Sequence, residues 1–141
     1  METNTDHCEM EHRNAQLVRN FYHARAHNQM GAVRAMLADD VVWHEFGNKP
    51  GFTGELRGAE SVMRMIEKAQ SMTGGTLHLE IEDLLANDAR AVAIVRWTSK
   101  VGDQELSGRE VGIYEVRDRC IANVRFFVDD VASVEQFWKT A

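Results

Sequence analysis

The sequence predicts an α+β fold in which three N-terminal helices pack on a curved, mixed or antiparallel sheet. In the first half of the chain, apolar residues recur every three or four positions, which is typical of amphipathic helices. From residue 76 onward, four segments rich in β-branched and alternating apolar residues are separated by turn residues. A group of helices followed by a run of strands indicates an α+β arrangement, because the helices must cover one face of the sheet.

Three segments have the helical spacing. The first helix is predicted over residues 12–27, with an apolar stripe made of Leu17, Val18, Phe21, Tyr22 and Ala24. A short second helix is predicted over residues 29–37, and a third over residues 59–72, where two glycines end it. Residues 1–11 are polar and have no hydrophobic period, so we expect a flexible tail there, followed by a single domain over residues 12–141.

The strands follow from composition and alternation. The five predicted strands are residues 41–46, 76–85, 89–100, 105–116 and 120–130. The loop after the first strand holds the single proline and four of the ten glycines of the chain. The segment 89–100 is apolar on both faces, as a central strand would be, and Gly102-Asp103 after it is a hairpin signal. Residues 131–139 are predicted to form a short closing helix.

The composition excludes several classes of function. A formal net charge of -6 argues against a nucleic-acid-binding surface, which needs clustered Lys and Arg. The N-terminal residues lack the apolar core of a signal peptide, and no apolar run approaches the roughly 20 residues that span a bilayer. We therefore expect a cytoplasmic protein with no nucleic-acid or membrane partner. Cys8 and Cys120 are too few for a disulfide framework.

A resemblance to a known superfamily rests on four segments. These are LVRNFYHARAHNQMGAVRAMLADDVVWHEFG, TGELRGAESVMRMIEKA, LLANDARAVAIVRWT and VGIYEVRDRCIANVRFFVDD. In combination they resemble the NTF2-like (cystatin-like) superfamily, and within it the SnoaL-like and ketosteroid-isomerase-like branch. The resemblance implies a cone-shaped barrel with a hydrophobic pocket, and a homodimer through the outer face of the sheet. This fold hosts isomerases, polyketide cyclases, epoxide hydrolases, dehydratases and non-catalytic binding modules, so fold and function are separate questions.

By this resemblance, Glu45 falls where ketosteroid isomerases keep their general-base carboxylate. Trp43 lies two residues earlier, so on a strand it shares a face with Glu45 and can desolvate it, which raises a carboxyl pKa toward working pH. His44 points the other way and is expected at the rim of the pocket, as an acid/base partner of Glu45. The alternative is that Glu45 is a strand-end carboxylate in water or paired with Arg57 or Lys49.

The sequence departs from the isomerase pattern at both proton donors. Phe21, followed by Tyr22, stands where those enzymes have a tyrosine, and Gly112 stands where they have a protonated aspartic acid. Tyr114 shares a strand face with Gly112 and Glu110, so its hydroxyl is a candidate replacement donor. A glycine inside a strand often leaves room for a ligand or bends the sheet.

Arg96 has two interpretations. It either anchors a polar group of a substrate at the pocket mouth or is a buried partner of a carboxylate such as Glu110. In limonene epoxide hydrolases, a related branch, an arginine is bracketed by two aspartates, but here Thr98 stands two residues after Arg96. Which face of this strand lines the pocket stays open, because both faces are apolar.

The remaining candidates are apolar or metal-binding. Phe126, on the apolar face of the last strand, suits an apolar ligand or plain core packing. The pair His23 and His27 has a spacing that can bind a metal, but no acidic residue on that helix completes the set, and the pair falls on its polar side. The group His7, Cys8 and His12 in the tail is another possible cluster. We therefore expect no metal and no organic cofactor.

Together these features predict an enzyme that uses acid/base chemistry on a hydrophobic, oxygenated small molecule of polyketide or terpenoid type. The expected reaction is cyclisation, isomerisation or ring opening, with Glu45 as the base and Tyr114, His44 or Arg96 stabilising negative charge. The predicted substrate-binding residues are Phe21, Tyr22, Trp43, Arg96, Gly112 and Phe126. The alternative is a non-catalytic module that binds a small molecule or only dimerises. Val95, Trp97 and Phe127 are candidates for an exposed apolar dimer interface.

Overall fold

The computed structural model describes the backbone of residues 2–139 and 141 and the side chains of residues 9–139 and 141. Its helices are α1 (Glu2–Ala26), α2 (Met30–Ala35), α3 (Ala59–Met72) and α4 (Val131–Trp138). Its strands are β1 (Leu37–Glu45), β2 (Gly54–Arg57), β3 (His78–Ala86), β4 (Arg90–Val101), β5 (Gln104–Arg117) and β6 (Cys120–Val128). None of the helices in this described part of the chain has both the length and the apolar character needed to cross a membrane.

The six strands form one mixed sheet in the order β2-β1-β6-β5-β4-β3. All neighbouring strands are antiparallel except β1 and β6, which run parallel. The predicted α+β class with a mixed sheet and helices on one face is confirmed. The predicted closure into a barrel is not found, because β2 and β3 stay at opposite edges of the sheet. Helix α1 packs on β3 and β4, and helix α3 packs on β1 and β2. The two helices therefore fill the space between the two edges of the sheet.

Several boundaries differ from the sequence prediction. The strand β1 begins at Leu37 instead of residue 41, and α2 ends at Ala35 instead of residue 37. The helical backbone begins at Glu2, whereas the sequence predicts a flexible tail over residues 1–11. A helix can continue through these polar residues because the segment 2–26 contains no glycine or proline. The strand β2 lies in the segment predicted as a loop, since a four-residue edge strand tolerates polar residues and a glycine at its end.

Burial identifies the inner face of the central strand β4. Ala91, Ala93, Val95, Trp97 and Ser99 are buried at every second position, and the residues between them are half-buried or exposed. The hydrophobic core therefore lies between this concave face and the helices. Val95 and Trp97 are 0% and 5% exposed, so their predicted place at an exposed interface is wrong, whereas Phe127 is 56% exposed. The outer positions of β4 are Arg90, Val92, Ile94, Arg96, Thr98 and Lys100, so only two of the six are apolar, and the sequence interpretation overlooked this polarity.

Candidate active site

A cavity of about 60 Å³ lies between the concave face of the sheet and the helices α1, α3 and α4. Its wall is mostly apolar and aromatic, and three ionisable side chains interrupt it. Its lining residues are Arg25, Glu45, Met65, Ala69, Leu77, Leu79, Trp97, Glu110, Phe126, Val134, Phe137 and Trp138. On this scale the cavity holds about four water molecules and is smaller than the roughly 150 Å³ cavity that encloses benzene, so a ring would extend from it toward solvent.

Glu45 is the last residue of β1 and faces this cavity. The indole Nε1 of Trp43, on the same strand face, donates to Glu45 Oε1 at 3.3 Å, and the backbone N–H of Phe46 also donates to the carboxylate. Burial raises the pKa of Glu45 from its ordinary value of 4.5 to about 6, although Arg25 and these two donors oppose the rise. Glu45 is not paired with Arg57, which instead binds Glu55.

Glu110 is the second carboxyl group of the cavity and lies on the inner face of β5, in register with Val95 of β4 and Val128 of β6. Within the described residues, its carboxyl group makes no hydrogen bond or ion pair with another side chain. Burial raises its pKa to about 8, the negative charge of Glu45 adds to the rise, and Arg25 opposes it.

The two carboxyl groups therefore lose their protons in different pH ranges. Both residues are half-buried as a whole, because the cavity admits solvent, but protein surrounds their carboxyl groups. Two acids close enough to affect each other ionise in separate steps that belong to the pair. Glu45, which accepts hydrogen bonds from two N–H groups, holds the negative charge, whereas Glu110, which accepts none of these, keeps its proton. At neutral pH the cavity thus presents an ionised Glu45 and a protonated Glu110, which is the pattern of a general base beside a general acid.

An aromatic cluster packs behind this cavity. Phe21 and Trp43 lie with ring centroids 5.9 Å apart, and both contact Tyr114. The hydroxyl groups of Tyr22 and Tyr114 lie 2.5 Å apart and form a buried hydrogen bond. Burial raises the pKa of both tyrosines, so both hydroxyl groups stay protonated. Trp43 contacts Glu45 directly, Phe21 and Tyr114 pack around Trp43, and none of the four aromatic residues lines the cavity.

Two predicted site residues lie on the outer face of the sheet. Arg96 faces away from the buried residues of its strand, and its guanidinium lies 3.8 Å from Glu82. It is therefore neither a pocket anchor nor the partner of Glu110. His44 is in register with the exposed Arg125 of β6, opposite the face that carries Trp43 and Glu45. The strand continues without interruption through residue 45, so His44 does not turn toward the cavity.

Gly112 has a different role from the predicted one. A Cβ atom at this position would lie 2.8 Å from Tyr114 Cε1 and 2.9 Å from Phe126 Cε1. The space next to the glycine is therefore filled by two aromatic rings of the protein and does not receive a ligand. Phe126 itself lines the cavity, as the sequence suggested for its strand face.

The sequence interpretation missed Arg25 and underestimated Glu110. Arg25 continues the buried stripe of α1 at the position seven residues after Val18 and four after Phe21, so a charge on an apolar stripe was the available signal. Glu110 shares its strand face with Tyr114, but the sequence interpretation considered it as a partner for Arg96. His23 and His27 stack with ring centroids 4.1 Å apart, and the described side chains contain no group of three or more metal-ligating residues. The side chains of His7 and Cys8 lie outside the described residues.

A family model described as SnoaL-like domain matches residues 18–124, and the chain therefore belongs to the SnoaL-like family. An uncharacterized protein of Mycobacterium tuberculosis is 28% identical over 123 residues, which cover 86% of this chain and 93% of that relative. Bal32a, from a soil-derived mobile gene cassette, superposes with a TM-score of 0.86 at 23% identity, over 92% of this chain and 98% of Bal32a.

The likeness extends to proteins with described activities. An LEH-like epoxide hydrolase of M. tuberculosis superposes with a TM-score of 0.73 at 20% identity, over 92% of each chain. Solved structures with this NTF2-like fold also include two proteins for which an isomerase activity has only been proposed and one proposed SnoaL-like polyketide cyclase. At these identities the likeness shows the fold, and the chemistry has to be argued from the cavity itself.

Proposed function

We propose that the protein is an acid/base enzyme acting on a hydrophobic, oxygenated ring compound of polyketide or terpenoid type. The observation that supports this proposal is the pair of carboxyl groups with different surroundings in one apolar cavity. Such a pair suits isomerisation, cyclisation or ring opening, because each of these reactions needs one group to accept a proton and another to donate one.

In the proposed reaction, the carboxylate of Glu45 takes a proton from a carbon atom next to a carbonyl group. The electron pair of the broken C–H bond moves into the new carbon–carbon double bond, and the carbonyl oxygen gains negative charge. The protonated carboxyl of Glu110 donates its proton to this oxygen. In a substrate whose second carbon is conjugated with the enol, Glu45 returns its proton to that carbon while the enol oxygen returns its proton to Glu110, which re-forms the carbonyl group and completes an isomerisation. Glu110 thus takes the role that the sequence interpretation assigned to Tyr114, whose hydroxyl is already bonded to Tyr22.

The experiment that tests this proposal is hydrogen–deuterium exchange of simple cyclic ketones, cyclohexanone and cyclopentanone, in D₂O at neutral pD, followed by NMR. The wild-type protein should accelerate exchange of the protons next to the carbonyl. Glu45→Gln cannot accept the proton, so the acceleration should fall by about a hundredfold or more. Glu110→Gln removes the donor and should also reduce it, by about tenfold or more.

Glu115→Gln is the matched control, because Glu115 lies on the same strand but is bound to Arg90 away from the cavity. It should exchange the ketones at the wild-type rate. Two results would contradict the proposal: acceleration that survives in Glu45→Gln, or binding of both ketones to the wild type without any exchange. The second result would favour the non-catalytic binding module.

We also propose that the protein forms a homodimer through the outer face of the sheet. The outer-face stripe consists of Leu85, Val92, Ile94, Val111, Ile113 and Phe127, which the strand register places side by side. Leu85 and Phe127 are 57% and 56% exposed, and the helices that pack on the sheet cover its opposite face. Ion pairs flank the stripe at both ends, Arg90 with Glu115 and Arg109 with Glu82, which gives it the apolar centre and polar rim of an interface.

A further inference from the structure

Arg25 stands at the edge of the cavity with its hydrogen-bonding capacity unused. It lies in the last turn of α1 and lines both the cavity and an adjoining crevice formed with Ala26, Gln70, Leu77 and Leu79. Within the described residues, its guanidinium makes no hydrogen bond and no ion pair within 4 Å. Its Cζ lies 5.9 Å from the ring centroid of Phe21. Five N–H donors of a half-buried side chain are therefore directed at solvent in or beside the cavity.

This differs from the other arginines that the structure describes. Arg109 binds both carboxylate oxygens of Glu82, at 2.7 Å and 3.3 Å, and Arg34 binds Asp39 and Glu60. Arginines without such a partner, for example Arg13 and Arg19, are exposed and can be fully hydrated. Arg25 combines partial burial with the lack of an acceptor, and a guanidinium in that situation is stabilised by a planar anionic acceptor.

The two glutamates of the cavity do not supply this acceptor. Both influence Arg25 through space, but neither forms an ion pair with it, and the carboxylate of Glu45 is occupied by Trp43 and Phe46. With Glu45 negative, Arg25 positive and Glu110 protonated, the cavity carries no net charge. A ligand with one negative charge therefore meets no net electrostatic repulsion in the cavity. The guanidinium of Arg25 is then available to bind its anionic group.

We propose that Arg25 makes this cavity selective for small cyclic carboxylic acids. The ligand carboxylate binds the guanidinium at the edge of the cavity, and the ring packs against Leu79, Trp97 and Phe126. This inference rests on the proposed function for the choice of cavity, and it adds an anionic group to the substrate class. A cavity of about 60 Å³ that is open to solvent encloses only part of such a ligand, so we expect the smallest single-ring acids to fit best.

The test compares benzoate with benzamide, two probes of nearly equal shape that differ in charge. Both are titrated at pH 7 against ¹⁵N-labelled protein, and binding is read from the indole N–H signals of Trp97 and Trp138, which line the cavity. The wild type should bind benzoate about tenfold more tightly than benzamide. Arg25→Gln should abolish this preference for benzoate and leave the affinity for benzamide within about twofold of the wild-type value. Arg25→Lys keeps the positive charge but not the planar guanidinium, so it should still bind benzoate about threefold more tightly than benzamide.

Arg96→Gln is the matched control, since Arg96 is an exposed arginine on the outer face of the sheet, and it should keep the full preference. Retained benzamide binding shows that Arg25→Gln is folded. Equal binding of the two probes by the wild type, or an undiminished preference in Arg25→Gln, would overturn the inference. Its failure is distinguishable from failure of the proposed function, because the exchange assay uses neutral ketones. Benzoate preference without ketone exchange refutes only the enzyme, and exchange without benzoate preference refutes only the role of Arg25.

Discussion

At the scale of single residues, the carboxyl pair has a consequence for stability that needs no substrate. The pKa values of Glu45 and Glu110 are raised by burial to about 6 and about 8 from ordinary values of 4.5. Between pH 4.5 and 8 the folded state therefore holds more protons than the unfolded state. The free energy of unfolding must fall as the pH rises through this window, and the stability present below pH 4.5 is lost as the pH passes the folded pKa values.

Replacing Glu110 by Gln removes the larger part of this dependence. Relative to its value at pH 5, the free energy of unfolding of the wild type should fall by about 2–4 kcal/mol at pH 9, and that of Glu110→Gln by about half as much or less. Urea denaturation at intervals from pH 5 to 9 measures both curves. Glu115→Gln should follow the wild type, because Glu115 is largely exposed and bound to Arg90. Parallel curves for wild type and Glu110→Gln would show that Glu110 is not desolvated.

At the scale of elements, the packing of aromatic rings against β5 depends on the absence of a side chain at Gly112. Gly112 is the cross-strand neighbour of Phe126, and the rings of Phe126 and Tyr114 cover its Cα. Gly112→Ala would push a methyl group into both buried rings, so we expect a loss of about 1–3 kcal/mol in the free energy of unfolding. Gly31→Ala is the control, since Gly31 is exposed in α2 with open space around it, and this change should be neutral or stabilising by up to about 1 kcal/mol. Equal effects of both substitutions in urea denaturation would contradict this account of β5.

Local patterns predicted most of these elements. The bounds of α3 at residues 59 and 72, and the hairpin turn at Gly102-Asp103 between β4 and β5, agree with the structure. Both depend on interactions over a few residues, which periodicity and turn chemistry report directly. The strand β2 was missed because its pairing with β1 comes from tertiary contact, and its own residues carry no apolar alternation.

At the scale of the whole molecule, the outer-face stripe predicts the state of association. A charged residue within this stripe would be desolvated without a partner in a dimer, so Phe127→Asp should convert the proposed dimer into a monomer. Sedimentation velocity measures the change directly. Met10→Asp introduces the same charge at a residue that is 40% exposed on α1, away from the sheet face, and should leave the dimer intact. A wild type that is monomeric at all concentrations, or a dimer that survives Phe127→Asp, would contradict the proposed interface.

The sequence by itself determined the α+β class, the family, the inward strand position of Glu45 beside Trp43 and the aromatic composition of the surrounding core. These features depend on local spacing or on similarity along the whole chain. The tertiary structure alone decided that Arg25 of α1, Glu45 of β1 and Glu110 of β5 line one cavity, and that Arg96 and His44 do not. The reason is that the parallel pairing of β1 with β6 and the packing of α1 on the sheet join segments that are distant in the sequence. The spacing of nearby residues does not encode this neighbourhood.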